Sequence, residues 1–259
     1  MDIVKHNREA WNQEVKRGNM WTLPVSAEET ETARKSGSAV FLLTPTKPVP
    51  KDWYPDIAEK DVLCLASGGG QQGPLFAALG ARVTVYDNSD NQLAQDRMVA
   101  ERDGLSVETV QGDMRDLSVF PDESFDFIFH PVSNCFIDDV NPVWKEAFRV
   151  LRYGGAMIAG FSNPVMYLFD MQKWDCGELE LKYRIPYADT DQLTPEELQE
   201  RIDNHEPLEY GHTLEDQIGG QLRAGFLLAA LYEDNWQGIG GDLLDPYLPT
   251  FMATRAIKP

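Results

Sequence analysis

The sequence predicts an α/β protein with a doubly wound, mostly parallel seven-stranded sheet that carries an antiparallel edge strand and a lid insertion. Three observations predict this fold. Short apolar runs alternate with helical periods from residue 61 onward, and a glycine-rich turn follows the first of these runs. Two further apolar runs near the carboxyl terminus are joined without a long helix, which favours antiparallel pairing.

The first part of the chain, residues 1–60, is predicted to form an N-terminal helical cap and an extended connector. Polar helices are expected around residues 6–17 and 27–36. The stretch LTPTKPVPKDWYP follows them, and its four prolines disfavour both a helix and a central strand. It is therefore expected to run extended into the main domain, which is assigned to residues 61–259.

The main domain begins with a regular alternation of strands and helices. Apolar runs of the kind that is buried on both faces predict parallel strands at residues 61–67, 82–87, 107–113, 125–131 and 156–162. Helices that end near glycines are predicted at residues 72–79, 91–102 and 142–151.

This alternation breaks after Asn163, so residues 164–205 are predicted to be an insertion over the carboxyl edge of the sheet. The insertion is expected to hold a strand at residues 179–185 and a helix that begins with a capping box of Thr194 and Glu197. After the insertion, the remaining predicted elements are a helix at residues 214–224 and an antiparallel pair of strands at 226–234 and 251–258.

The charge distribution bears on the class of partner. Formal net charge is -19, and residues 189–245 hold 14 acidic side chains against Arg201 and Arg223. Such a surface repels polyanions, so nucleic acid is not an expected partner. An acidic face that provides solubility explains the pattern, and attraction of a cationic substrate is the alternative.

The sequence shows no pattern typical of a membrane span, a signal region, a disulfide framework or a metal site, and these observations bear on compartment and metal content. No segment approaches the roughly 20 apolar residues that cross a bilayer, and the N-terminus has no apolar signal region, so a cytoplasmic protein without a membrane partner is expected. Cys64, Cys135 and Cys176 lie far apart, without a CxxC pair or a matching His spacing. Neither a disulfide framework nor a metal site is therefore expected.

The stretch LASGGGQQG at residues 65–73 is the strongest indication of a ligand site. Gly68, Gly70 and Gly73 satisfy the pattern GxGxxG, and Asp87 ends the next strand at about the spacing at which an acid meets ribose hydroxyls. These residues alone are compatible with a nicotinamide dinucleotide. The turn has no Lys or Arg, which excludes a phosphate loop of the Walker type.

Two further motifs follow the glycine turn along the chain. VQGDMRDL places Asp113 at the end of the third strand, and DESFDFIFHPVSN supplies a fourth strand that ends at His130. From residue 62 to residue 160, the series resembles the class I S-adenosylmethionine-dependent methyltransferases, specifically the methyltransferase type 11 group. The resemblance implies the Rossmann-like methyltransferase fold, S-adenosylmethionine as cofactor, S-adenosylhomocysteine as product, and direct in-line methyl transfer to a small-molecule acceptor.

The resemblance also implies roles for individual residues. Gly68 and Gly70 match glycines that let the backbone approach the methionine part of the cofactor. Asp87 matches the acid on the ribose hydroxyls, and Asp113 matches the acid that accepts from the adenine amino group, with Met114 lining the adenine. The complete set of expected cofactor contacts is Ser67, Gly68, Gly69, Gly70, Asp87, Asn88, Asp113, Met114, His130 and Trp11.

The catalytic assignment rests on His130, the one histidine placed at the carboxyl end of a central strand. It is compatible with a general base, with a group that positions cofactor or acceptor, and with a structural imidazole. A base is needed only when the acceptor must first lose a proton. Trp11 is compatible with a cap over the cofactor or with simple packing. An aromatic acceptor pocket or core packing is compatible with four residues of the insertion: Tyr167, Trp174, Tyr183 and Tyr187.

One departure from the family pattern affects the glycine turn. The family usually has VLDLGCGTG where this chain has VLCLASGGG, so Cys64 replaces an acid and Ala66 replaces a glycine. Loss of the acid is expected to weaken the hydrogen bonds that shape the turn. Two alternative functions remain at this point: an NAD(P)-dependent oxidoreductase, which the glycine spacing favours, and a non-catalytic S-adenosylmethionine-binding protein.

Overall fold

The computed structural model describes residues 1–236 and 242–259. Residues 237–241, which belong to the predicted loop between the last two strands, lie outside the described residues. Within the described ranges the chain forms one seven-stranded sheet and one two-stranded sheet. No helix in these ranges has the length and apolar character needed to cross a membrane.

The strands follow the predicted order. In chain order they are β1 (Asp61–Leu65), β2 (Arg82–Asp87), β3 (Val107–Gln111), β4 (Phe125–His130), β5 (Leu151–Ser162), β6 (Tyr187–Ala188), β7 (Tyr210–Gly211), β8 (Leu227–Asp234) and β9 (Phe251–Ile257). The large sheet has the order β3-β2-β1-β4-β5-β9-β8, with β1 to β5 parallel. The predicted antiparallel pair is confirmed: β9 runs against both β5 and β8, and β8 forms the edge.

Helices connect these strands and cover both sheet faces. The α-helices are α1 (Ile3–Arg17), α2 (Ala27–Ser36), α3 (Gln72–Ala78), α4 (Asp90–Asp103), α5 (Asn141–Val150), α6 (Met171–Asp175), α7 (Asp189–Gln192), α8 (Pro195–Asp203) and α9 (Gly220–Ala224). A π-helical turn, Glu215–Gly219, precedes α9. Short 3-10 helices lie at Met20–Thr22, Lys51–Trp53, Asn134–Phe136 and Pro164–Leu168.

Local signals explain where several helices begin and end. The Ser89 side chain accepts from the Gln92 N–H at the start of α4, and Gly104 ends that helix with a positive φ of 61°. The capping box of Thr194 and Glu197 at the start of α8 is present, as predicted. These caps satisfy backbone groups that the helix itself leaves without partners.

The core lies on both faces of the large sheet because successive residues of the central strands point in opposite directions. Val62 and Cys64 of β1 join one buried cluster, and Leu63 and Leu65 join the other. Phe41 of the connector belongs to the first cluster and stacks on Phe76 of α3 at a centroid distance of 4.0 Å. The core therefore crosses the predicted domain boundary at residue 60.

The predicted strand at residues 179–185 is wrong. In that stretch only Leu181 forms an isolated bridge, to Phe169, and the Leu181 side chain is 70% exposed. The alternation of Leu with charged residues has no apolar surface to cover here, so it produces no strand. The two-stranded sheet forms instead between β6 and β7.

Candidate active site

The glycine turn follows β1 and leads into α3. Its backbone bends sharply, with positive φ values of 47° at Ala66, 118° at Gly69 and 71° at Gly70. Such values are sterically costly for residues with a side chain, so glycine at two of the three positions lowers the cost of the bend. The turn therefore takes a backbone path that the glycine-rich sequence makes accessible.

Asp87, the last residue of β2, holds this turn in place. Its Oδ2 accepts from the Gly68 N–H at 2.9 Å, and its Oδ1 accepts from the Ser89 N–H at 2.9 Å. Burial raises the pKa of the Asp87 carboxyl, and the backbone donors oppose that effect. The carboxylate thus joins the ends of β1 and β2 at one edge of the sheet.

Gly69 and Gly70 face protein atoms. A Cβ atom on Gly69 would lie 3.0 Å from Gln92 Oε1 and 3.2 Å from the Trp21 carbonyl oxygen. A Cβ atom on Gly70 would lie 2.9 Å from Pro24 Cβ. These two glycines therefore let the N-terminal segment and α4 pack closely against the turn.

Asp96 of α4 also binds the backbone of the glycine turn, and the sequence analysis did not predict this residue. Its Oδ2 accepts from the Gly69 N–H at 3.0 Å, and the residue has no solvent exposure. Burial, reinforced by the nearby charge of Asp87, raises the pKa of Asp96 to about 8. The available signal was its position on the apolar stripe of α4, three residues after Leu93 and four before Ala100.

Asp113 lies two residues beyond the end of β3 and is held by an ion pair. Arg115 Nη2 lies 2.7 Å from Asp113 Oδ2, and Arg115 Nε donates to both carboxylate oxygens. The next residue, Met114, is buried in the same apolar cluster as Tyr86. The ion pair fixes the direction of the Asp113 carboxylate relative to the sheet edge.

A cavity of about 580 Å³ runs along the carboxyl ends of the parallel strands. It reaches from Asp113, beyond β3, to Ser162, the last residue of β5, and to Phe251 at the start of β9. The predicted cofactor residues that line it are Trp11, Ser67, Gly68, Asp87, Asn88, Asp113 and Met114. Gly69, Gly70 and His130 are not among its described lining residues, and their roles as cofactor contacts remain predictions.

Hydrogen bonds on two sides of this cavity hold helix α1 over it. Asn88 donates to the Val4 carbonyl at 2.8 Å, so the end of β2 is bonded to the start of α1. Asn7 is buried and donates to the carbonyls of Phe136 and Leu208 at 2.8 and 3.0 Å. These bonds join α1 to the ends of strands on both sides of the glycine turn.

His130 is completely buried at the end of β4. Its Nδ1 lies 2.9 Å from the Leu65 carbonyl oxygen, and its Nε2 lies 2.6 Å from Asn134 Oδ1. Burial lowers the pKa of the imidazole, which favours the neutral ring. A neutral ring that donates from Nδ1 to the Leu65 carbonyl needs a donor at Nε2. The Asn134 amide presents its oxygen to Nε2 and donates its NH₂ to Gln217 Oε1 at 3.0 Å, so a neutral ring requires both amides to turn.

The far end of the cavity contains a second pair of polar groups. Tyr167, a predicted aromatic pocket residue, lines the cavity and donates its hydroxyl to Glu209 Oε2 at 2.8 Å. Tyr187 stacks on Tyr167 at a centroid distance of 5.3 Å, outside the cavity lining. Glu209 had no sequence signal, because it lies in a stretch without periodicity.

The part of the chain that the structure describes contains no group of three or more His, Cys, Asp or Glu residues placed to hold a metal ion. The polar groups along the cavity are instead carboxylates, which accept hydrogen bonds, together with amides, hydroxyls and backbone groups. This set suits an organic ligand that offers several hydrogen-bond donors.

Comparison with known proteins agrees with this geometry. A family model described as a methyltransferase domain matches residues 63–159. The chain is 54% identical over 256 residues to an uncharacterized methyltransferase, YbaJ, of Bacillus subtilis (strain 168), and the match covers 99% of this chain and 98% of that protein.

Two further matches are more distant. A sterol 24-C-methyltransferase of Aspergillus fumigatus is 36% identical over 89 residues, which is 34% of this chain and 23% of that protein. Among solved structures, an S-adenosylmethionine-dependent methyltransferase from Mesorhizobium loti has a TM-score of 0.62 at 18% identity, covering 80% of this chain and 94% of that chain. The latter likeness concerns the fold.

Fold and site together define a doubly wound α/β protein whose ligand site lies at the carboxyl edge of its parallel strands. The chain belongs to the methyltransferase family, as the relative that it matches over almost its whole length shows. It is accordingly an enzyme, and S-adenosylmethionine is its cofactor. The family assignment replaces both the nicotinamide-dependent oxidoreductase and the non-catalytic binder.

Proposed function

We propose that the protein transfers a methyl group to a small-molecule acceptor by direct in-line displacement. The observation that carries this proposal is the single cavity that joins Asp87 and Asp113 at one end to Tyr167 and Phe251 at the other. Its volume of about 580 Å³ falls within the range of small-molecule sites, roughly 300–1,000 Å³. A cofactor and a modest acceptor would therefore share one continuous cavity.

The end of the cavity near β1, β2 and β3 fits the nucleoside part of S-adenosylmethionine. Each Asp87 oxygen accepts one backbone N–H and retains acceptor capacity, which suits two neighbouring ribose hydroxyls. Asp113, oriented by Arg115, would accept from the adenine amino group, and Met114 would contact the adenine ring. Ser67 and the Gly68 backbone would hold the methionine part, with Asn88 and Trp11 completing the wall.

The bound cofactor supplies a methyl group on a positively charged sulfur, which is already electrophilic. The protein's main contribution is then to orient the acceptor and exclude water, and good alignment alone supplies roughly 7–11 kcal/mol. Helix α1 suits the second task because its bonds through Asn7 and Asn88 span the cavity. We assign residues 1–60 to a cap and connector, and residues 164–205 to the outer wall of the acceptor site.

His130 is assigned a positioning role. Its ring bridges the Leu65 carbonyl at the end of β1 and the Asn134 side chain after β4, and both ring nitrogens have protein partners. A base needs a nitrogen that reaches the acceptor, whereas this ring is buried among protein groups. The imidazole would keep the ends of β1 and β4 at the spacing that the cofactor requires.

Two observations support a small molecule over a nucleic acid. The described residues that line the cavity include no Lys or Arg, so a phosphate backbone would find no counter-charge there. The partial match to a sterol methyltransferase, whose name specifies a small-molecule substrate, agrees with this assignment.

The decisive experiment combines the purified protein, S-adenosylmethionine labelled in its methyl group, and a fractionated metabolite extract. We expect label in a low-molecular-weight product together with formation of S-adenosylhomocysteine. The variant Asp87→Ala, incubated in parallel, should lose both signals. Label that enters only added RNA, DNA or protein would contradict the proposal.

A further inference from the structure

The acceptor end of the cavity carries a hydrogen-bonded pair, Tyr167 and Glu209, that the methyl transfer described above does not use. We infer that this pair binds an acceptor with an amine nitrogen on an apolar body, and that Glu209 takes the proton which the nitrogen must lose. This inference rests on the proposed function, because it names the substrate class of the same site.

The Tyr167 side chain is held rigidly. Its ring stacks on Tyr187 with an interplanar angle of 21°. On another side lies Gly211, where an added Cβ atom would come within 2.7 Å of the Tyr167 ring. The ring is therefore packed closely against β7 and β6, and its hydroxyl has a defined direction toward Glu209.

Glu209 is fixed through its backbone. Its N–H donates to Asp189 Oδ2 at 2.8 Å, and its carbonyl accepts from the Asp189 N–H at 3.0 Å. The side chain lines the cavity, with Oε2 bonded to Tyr167 and no donor to Oε1 among the described residues. One carboxylate oxygen is thus positioned by the protein, and the other is available to a ligand.

The charges around the cavity select the class of acceptor. None of its described lining residues is Lys, Arg or His, whereas the acidic lining residues are Glu29, Asp87, Asp113 and Glu209. A carboxylate or phosphate group would lose its hydration there without gaining a counter-charge. An ammonium group would gain Glu209 as a partner of opposite charge, in a cavity whose lining also includes Trp236 and Phe251.

The proton balance is simple. The acceptor enters as R–NH₃⁺ and gives one proton to the Glu209 carboxylate, which leaves a neutral amine with a free lone pair. Burial and the nearby charge of Asp189 raise the pKa of Glu209, while the Tyr167 hydrogen bond and the charge of Arg201 oppose that rise. The net upward direction makes Glu209 a stronger base than an exposed carboxylate. The C–N bond then forms as the C–S bond of the sulfonium breaks, the bonding pair stays on sulfur, and the product is R–NH₂⁺–CH₃ with a neutral thioether.

The test uses three probes with the same apolar chain and different head groups: octylamine, octanol and octanoate. The full chain is first saturated with S-adenosylhomocysteine, and each probe is then titrated at neutral pH. Tryptophan fluorescence reports binding because Trp11, Trp21 and Trp236 line the cavity. Titrations are repeated with Glu209→Gln, with Tyr167→Phe, and with the control Glu200→Gln, an exposed acid on α8 outside the cavity lining.

We expect octylamine to bind wild-type protein roughly tenfold or more tightly than octanoate. Glu209→Gln should abolish that preference, Tyr167→Phe should weaken it, and Glu200→Gln should retain it. S-adenosylhomocysteine affinity should stay unchanged in all variants, and a cooperative unfolding transition measured on the same samples should show that each variant is folded.

Three results would overturn the inference: equal or tighter binding of octanoate, an amine preference that survives in Glu209→Gln, or no binding of any probe to the saturated wild-type protein. The Tyr167→Phe titration provides an independent test if Glu209→Gln does not fold. Failure of the proposed function would be visible separately, in the labelling experiment above, as label that enters only RNA, DNA or protein.

Discussion

The carboxyl group of Asp96 accepts a hydrogen bond from the Gly69 N–H at 3.0 Å from a position without solvent exposure. Asp96 Oδ1 and Gln92 Oε1 have no hydrogen-bond partner among the described residues. The two side chains are four residues apart and so share one face of α4. A proton on Asp96 would turn one of its buried oxygens from an unpaired acceptor into a donor, and the pKa of Asp96 is raised to about 8.

This protonation predicts a pH dependence of stability. Because the unfolded chain releases the Asp96 proton near pH 4 and the folded chain keeps it up to about pH 8, Asp96 should lower the free energy of unfolding as pH rises between these values. Its contribution is at most about 1.4 kcal/mol per pH unit. Asp96→Asn keeps an acceptor for Gly69 and should remove this slope.

Urea unfolding of wild type and Asp96→Asn at about pH 5.5, 7 and 8.5 measures the difference. The gap in unfolding free energy should grow in favour of the variant as pH rises. A constant gap across the three pH values would show that Asp96 is already ionised in the folded protein.

A second prediction concerns Asp87 and the cofactor. Asp87→Ala should reduce affinity for S-adenosylmethionine by roughly a hundredfold or more, because two charge-assisted bonds to ribose hydroxyls contribute about 1.5–3 kcal/mol each. Glu108→Gln is the matched control, since Glu108 is an exposed acid on the neighbouring strand β3. Isothermal titration calorimetry gives both affinities, and an equal loss in the two variants would argue against a specific role for Asp87.

His130 predicts the opposite pH slope on the acid side. Its folded pKa is lowered by burial, so the unfolded chain gains the His130 proton first as pH falls below about 6.5, and stability is lost. His130→Gln should therefore lose less unfolding free energy than wild type between about pH 7 and pH 5.5. An identical loss in both proteins, measured by urea unfolding, would show that the ring is not buried in its neutral form.

Much of the fold is predictable from the sequence because the central strands are buried on both faces. The central parts of two of these runs, 62–66 and 127–129, are continuously apolar, which is typical of strands in a parallel sheet covered on both faces. The false strand at 179–185 shows the limit of this reasoning. Alternation between Leu and charged residues indicates only a local preference for a strand. Whether an apolar surface is present for such a strand to cover depends on the tertiary structure.

The candidate site likewise contains contacts that the sequence predicts and contacts that depend on tertiary packing. Asp87 ends β2 and Asp113 lies two residues beyond β3, so the parallel sheet brings them to one edge and the sequence predicts their proximity. Asp96 reaches the glycine turn only through the packing of α4, and Glu209 reaches the cavity through the β6–β7 pairing. Neither contact is encoded in local spacing.

The glycine turn offers a prediction with a close control. Gly70 and Gly104 both have positive φ values, 71° and 61°, but an added Cβ would meet Pro24 at 2.9 Å on Gly70 and open space on Gly104. Gly104→Ala should cost about 1 kcal/mol, the backbone penalty alone. Gly70→Ala should cost roughly 1–3 kcal/mol more, because the N-terminal segment must shift. Thermal unfolding of both variants measures this difference, and equal costs would mean that the segment moves freely.

The last prediction concerns the closure of the cavity by α1. Asn7 is buried, donates to the carbonyls of Phe136 and Leu208, and accepts from the Leu208 N–H at 2.8 Å. Asn7→Ala leaves these backbone groups without partners, which costs roughly 1–3 kcal/mol. Because α1 lies across the cavity, its local opening should become more frequent.

Hydrogen exchange of α1 and the dissociation rate of S-adenosylmethionine should therefore both increase in Asn7→Ala. Lys5→Ala is the control, because Lys5 is an exposed residue of the same helix and its side chain does not line the cavity. Faster exchange with an unchanged dissociation rate would show that α1 opens without releasing the cofactor, and the role of α1 as a cap would then be wrong.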